Sequence, residues 1–299
     1  MATALKEDLD MKSRKRLGSV FACLIALGAA GCGMEVAGPS DSDESANDGE
    51  PTRNVQQGLA GGRFGTWCQK DFQNYWVTSL PHAWEVCGWF NDELNDTDQQ
   101  IFYFDLYNKQ YYWEQFGDHQ AANDSADDVD LLFVDTHGRA DPDKAVFATW
   151  NQDVNARTNN MRLGDSAWWG GGLAIMATYA CYTHKFNDNL LWTRWNSAFR
   201  GGLKIALGSH DTVYDGTTTN EVGEDFADNM QHSAILSLAW RDAVSDAYSD
   251  EDATIIATGV NQANCETRRG LMRWQDFGNY PFIRDNSIGW VCWQAWDNL

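Results

Sequence analysis

Two residues with usable chemistry each follow an apolar run. "DLLFVDTHG" (130–138) drives a buried-type segment into His137 and Gly138, and "GLAIMATYAC" (172–181) drives another into Cys181. An imidazole can take a thiol's proton and hold it as thiolate, the reactive form, so a Cys–His pair is a workable nucleophile and base. Glycine has no Cβ, so the Gly138 N–H can closely approach a developing oxyanion, with the Cys181 N–H as a second donor. Taken singly, each residue has a plainer role: a hydrogen-bonded imidazole at a strand end, and a small inert hydrophobe. Their matched positions single the pair out.

The cysteine count bears on whether Cys181 is free. Residues 11–32, "MKSRKRLGSVFACLIALGAAGC", place four basic side chains before an apolar run and then small residues. That order is a secretory signal, too short for a comfortable membrane span, and residues 1–10 read as an over-called start. "AAGC" at 29–32 resembles a bacterial lipobox, which implies removal of residues 1–31 and a lipid on Cys32. Ala29 stands where that motif usually has Leu, so cleavage by an ordinary signal peptidase stays open. The expected location is exported: a membrane-anchored lipoprotein of the outer membrane, periplasm or cell surface. Export permits disulfides. Beyond Cys23 and Cys32, five cysteines remain: Cys68, Cys87, Cys181, Cys265 and Cys292. Local spacing pairs Cys68 with Cys87 and Cys265 with Cys292, leaving Cys181 free, although four cysteines allow three connectivities.

The formal charge of -21 argues against nucleic acid and against charge-driven binding to an anionic membrane. It favours cationic ligands or basic peptides, and solubility of an exported protein accounts for most of it.

Residues 33–62 are acidic, polar and rich in Gly and Ser, so 32–62 reads as a disordered tether and 63–299 as a single domain. Five apolar runs of strand length follow: 101–107, 130–135, 172–178, 202–208 and 254–259. Nearly continuous apolar strands are covered on both faces, which predicts an α/β fold with a mostly parallel sheet and helices on both faces. Helical spacing appears at Phe186, Leu190 and Leu191, with Gly201 as C-cap, and across 223–248 at Phe226, Met230 and Ala234, then Trp240, Val244 and Tyr248. In such sheets ligands bind at the carboxyl ends of the strands. There the runs deliver His137, Cys181, then Ser209-His210-Asp211, then Asn261 and Gln262.

The two blocks "LLFVDTHG" and "LAIMATYAC", in that order and 44 residues apart from His137 to Cys181, resemble the signature of the clan CD cysteine peptidases, the caspase, legumain and gingipain group. The resemblance covers roughly residues 100–265. It implies a caspase-haemoglobinase-like fold, Cys181 as nucleophile, His137 as base and acid, and Gly138 as oxyanion donor. Thr183 matches a position where relatives often carry Ser. Relatives that cleave after basic residues often have Asp two positions before the Cys, where this chain has Tyr179. No cofactor is implied; the partners are a peptide or protein substrate and, through Cys32, a membrane.

Several rival readings remain. His210, with Asp211, is the main alternative base, although "GSHD" fits better as the cap of a turn. Cys181 and His184 with His137 or His210 have the softness for zinc but no second ligand pair at metal spacing. The acidic stretch 123–130 lacks the glycine and spacing of a calcium loop. Trp168, Trp169 and "WVCWQAW" (290–296) have rings that stack on sugars, yet at this density most belong to packing. The expected function is peptide-bond hydrolysis by an exported Cys–His peptidase; the alternative is a catalytically inactive surface lipoprotein of the same fold that binds peptide or glycan.

Overall fold

The computed structural model describes residues 34–35, 63–72, 79–95, 101–107, 129–148, 161–162, 173–217, 219, 221–232, 234–248, 251–274 and 287–296. The signal at 1–31, Cys32, Trp168, Trp169 and the acidic stretch up to 128 lie outside them. So does the tether at 32–62, apart from Met34 and Glu35.

In chain order the elements are β1 (Met34–Glu35), β2 (Arg63–Cys68), α1 (Ala83–Asn95), β3 (Ile101–Tyr107), β4 (Leu131–Asp135), β5 (Gly138–Ala140), β6 (Ala145–Phe147), β7 (Met161–Arg162) and β8 (Ile175–Tyr179). They continue with α2 (Leu191–Arg200), β9 (Ile205–Gly208), α3 (Val222–Gln231), α4 (Leu236–Ala247), β10 (Ala253–Gly259), α5 (Gln262–Leu271) and β11 (Trp290–Trp296). Eight strands form one sheet in the order β1-β11-β10-β9-β8-β4-β2-β3, and β5, β6 and β7 form a small second sheet. β3, β2, β4, β8 and β9 run parallel to one another. β10, β11 and β1 are each antiparallel to the preceding neighbour. The chain is thus α/β with a mostly parallel sheet, as the apolar runs predict.

β4 and β8 are buried along their whole length because helices cover both faces. Alternate residues serve two cores. Leu131, Phe133, Ile175 and Ala177 face α1, α3 and α4. Leu132, Val134 and Met176 face α2 and the small sheet. In the first core Phe90 of α1 stacks on Phe133 of β4 at 4.7 Å, and Phe226 and Trp240 close the cluster at 5.3 Å. α3 crosses α1 so closely that a Cβ on Gly223 would lie 2.0 Å from the Val86 carbonyl oxygen. Cys68–Cys87 ties β2 to α1, and Cys265–Cys292 ties α5 to β11. Both pairings follow the expected spacing, and Cys181 is free. Disulfides are a feature of exported proteins. No helix among the described residues is long and apolar enough to cross a membrane.

One expectation is corrected. The two helical spacings across 223–248 are two helices, α3 and α4, with residues 232–235 between them. Two passes return the chain to the sheet edge it left, so β10 runs antiparallel, with Thr254 beside Gly208. Asn261 and Gln262 therefore lie at the opposite end of the sheet from His137. There Asn261 caps α5, its side chain accepting the Asn264 N–H at 2.9 Å. The end of β10 that meets the carboxyl edge is its beginning, at Glu251 and Asp252. Strand patterning has no direction in it, so the reversal is invisible to periodicity. The second α/β helix of the expected pattern, α2, begins at Leu191, with Phe186 and Leu190 before it and Gly201 at its C-cap.

Candidate active site

β4 and β8 are neighbours in parallel register, with Asp135 opposite Tyr179. His137 and Cys181 each follow two residues later, so they leave the same edge of adjacent strands. Gly138 fixes how closely the two exits approach. A Cβ there would lie 2.4 Å from the Cys181 carbonyl oxygen and 3.0 Å from both the Cys181 nitrogen and the Ala180 Cβ. Only glycine lets β5 lie backbone to backbone against the Cys181 turn. Thr136 anchors the other side of the exit, its buried hydroxyl donating to the Ala148 carbonyl at 2.8 Å. The Phe72 ring packs against the His137 ring at 5.1 Å.

The turn at Cys181 is strongly held. Tyr182 has a φ of 58°, a left-handed conformation uncommon for a bulky residue. Its N–H donates to the Asp211 carbonyl at 2.9 Å, and its hydroxyl lies 2.9 Å from the Thr212 hydroxyl. Thr183 is fully buried; its hydroxyl donates to the Ala180 carbonyl at 3.3 Å and its carbonyl accepts the Trp195 indole N–H at 2.8 Å. Its position is inside the turn, where it shapes the Cys181 backbone. Arg194 of α2, buried, donates to the carbonyls of Asp141 and Lys185 and pairs with Asp188, so it joins the end of β5 to the loop after Cys181.

The segment Ser209–Gly216 lies against the thiol. The Val213 N–H donates to Cys181 Sγ at 3.3 Å, and the thiol lies 3.5 Å from the Val213 carbonyl, to which it donates. Burial pushes the thiol's pKa up; the Val213 contacts oppose this, and the charges of Glu251 and Asp135 add to it. Burial and these charges favour the thiol over the thiolate. His210 is engaged by Asp252, 3.0 Å from its Nε2, and its ring packs on Phe186 at 4.6 Å. The Asp211 carboxylate accepts the Thr212 N–H at 2.7 Å, the turn cap that "GSHD" predicts. His184 is fully buried, with Nδ1 2.7 Å from the Thr254 hydroxyl, and burial holds its pKa down to about 3. Among the described residues no three His, Cys, Asp or Glu side chains are placed to hold a metal ion.

The structure adds acidic residues to this edge. The Tyr179 hydroxyl lies 2.9 and 3.0 Å from the two Glu251 carboxyl oxygens and 3.1 Å from the Tyr214 carbonyl. The Tyr214 N–H donates to Glu251 at 2.7 Å, and the His82 N–H donates to Asp215 at 3.1 Å. Burial pushes the Glu251 carboxyl up to about 7 and raises Asp135 and Asp215 as well, with Asp215 and Glu251 adding to the shift of Asp135. One sequence signal marks Glu251: "SDEDATII" runs three acids straight into a buried strand. Arg139 is explained more simply by its ion pair with Asp141 at 3.0 Å.

Two stability measurements follow. Gly138→Ala pushes a Cβ into the Cys181 backbone and lowers the unfolding free energy by about 1–3 kcal/mol, the range for overpacking; urea unfolding equal to wild type contradicts the contact. Glu251 has a folded-state pKa above its ordinary 4.5, so its burial costs nothing below that pH and the full amount above about 7. Wild type therefore loses about 3 kcal/mol more than Glu251→Gln between pH 4.5 and 8. Parallel stability curves contradict that burial.

No curated protein matches the chain. A family model, described as a domain of unknown function, matches residues 68–292 and so takes in His137, Gly138, Cys181 and the acidic residues around them. The chain belongs to the DUF6345 family.

Proposed function

We propose that this protein is an exported cysteine peptidase of the clan CD type, with a caspase-haemoglobinase-like fold, in which Cys181 is the nucleophile and His137 the base. The observation that carries this reading is the placement of a free thiol and an imidazole at the carboxyl ends of adjacent parallel strands, locked together by the Gly138–Cys181 backbone contact. A lipid on Cys32 would hold the domain at a membrane.

In this reading the Cys181 sulfur attacks the scissile carbonyl carbon while its proton passes to His137. A C–S bond forms and the oxygen becomes an oxyanion, to which the Gly138 and Cys181 N–H groups donate. The C–N bond then breaks, the amine takes the proton from His137, and water deprotonated by His137 cleaves the thioester to release acid and thiol. The thiol is bonded to Val213, so binding of substrate has to part it from that segment before transfer to His137.

The inactive alternative, a surface lipoprotein that binds peptide or glycan, draws on the same capped thiol and on two exposed rings beside it, Tyr182 and Tyr214. Hydrolysis of a fluorogenic peptide library separates the two. The peptidase reading predicts turnover that falls by about 10³-fold or more in Cys181→Ala and by about 10²–10⁴-fold in His137→Ala. Turnover equal to wild type in Cys181→Ala sinks it, and binding of a peptide or glycan without any turnover favours the alternative.

A further inference from the structure

Three carboxyl groups, Asp135, Asp215 and Glu251, lie near Cys181. Asp135 is only 5 % exposed, and its side chain takes no hydrogen bond among the described residues. It shares the helix-covered face of the sheet with Tyr179, its neighbour in register. Asp215 uses one oxygen for the His82 N–H, while its other oxygen is shielded from solvent without a partner. Glu251 is held by Tyr179 and Tyr214. No lysine or arginine among the described residues pairs with any of the three. The imidazoles of His82 and His137 oppose the upward shift of Asp215; buried carboxylates without a permanent counter-ion are costly, and a partner cation offsets that cost.

Their position ties them to the nucleophile. Val213 holds the Cys181 sulfur, Tyr214 holds Glu251, and Asp215 follows at once along the same segment. The three carboxyls do not group tightly enough to hold a metal ion. Dispersed acceptors suit a guanidinium, whose five donors fan out in a plane, or an ammonium on a long stem. The acidic whole molecule attracts such ligands from a distance.

We infer that Asp135, Asp215 and Glu251, with the Tyr179 hydroxyl, receive an arginine or lysine side chain of the substrate next to the bond that Cys181 attacks. This rests on the peptidase reading and gives that site its substrate class. The acids come from β4, from the segment after β9 and from the start of β10, in place of an acid two residues before the cysteine.

The test has two arms. In full-length protein, fluorogenic peptides ending in arginine are compared with the same peptides ending in citrulline, a neutral near-isostere. Arginine is preferred by at least 100-fold, and Asp215→Asn narrows that ratio at least tenfold; equal turnover of the two overturns the inference. In Cys181→Ala, benzamidine binding is followed by calorimetry, alone and with Asp215→Asn or Glu251→Gln. Binding that weakens at least tenfold in either carboxamide variant supports the pocket, and absence of binding overturns it. Asp215 is half-buried, so its variant keeps the test usable even if Glu251→Gln fails to fold. Benzamidine binding without any hydrolysis leaves the cation pocket standing and removes the peptidase reading; hydrolysis without preference for arginine does the reverse.

Discussion

The backbone of Gly138 lies against the backbone of Cys181, and the geometry of this sheet edge depends on that contact. Parallel pairing of β4 with β8 brings His137 and Cys181 to one edge, but pairing alone leaves their exits free to splay. The contact closes them, and it tolerates no side chain at position 138. Around it the fold has placed rigid supports: Thr136 tied to Ala148, Thr183 buried in the turn, and Arg194 joining β5 to the loop after Cys181. A turn with Tyr182 in the left-handed region persists only where the surroundings over-determine it, and here two hydrogen bonds to Asp211 and Thr212 do so.

The electrostatics run against easy ionisation. Cys181 is half-buried and faces carboxylates, and both effects favour the thiol over the thiolate. A thiol bonded to Val213 is less open to oxidation and to stray electrophiles than a thiolate, because the thiolate is the reactive form. A cation seated among Asp135, Asp215 and Glu251 would cancel the charges that hold the thiol's pKa up. Substrate recognition and activation of the sulfur would then be one electrostatic event.

How much of this is legible in the sequence varies with the kind of signal. His137, Gly138 and Cys181 each end a continuous apolar run, and buried parallel strands announce themselves that way. The two disulfides follow from spacing. That Glu251 and Asp252 reach this edge is not legible, because it depends on the direction of β10, which is set by the break between α3 and α4. β2 is not legible because "RFGTWC" is not a continuous apolar run, whereas α1 does carry a helical stripe at Ala83, Val86, Cys87, Phe90 and Leu94, blurred by Trp84 and Trp89 between its members. Thr183 and His210 carry chemical groups in suggestive places, but packing turns the first inward and Asp252 occupies the second.

The central claim is that Cys181 is a nucleophile served by His137. The most direct measurement is trapping with a peptidyl acyloxymethyl ketone, followed by peptide mapping in the mass spectrometer. The account predicts a single adduct on Cys181 that forms in wild type and is lost in His137→Ala. Failure to modify Cys181, or equal modification with and without His137, would contradict it.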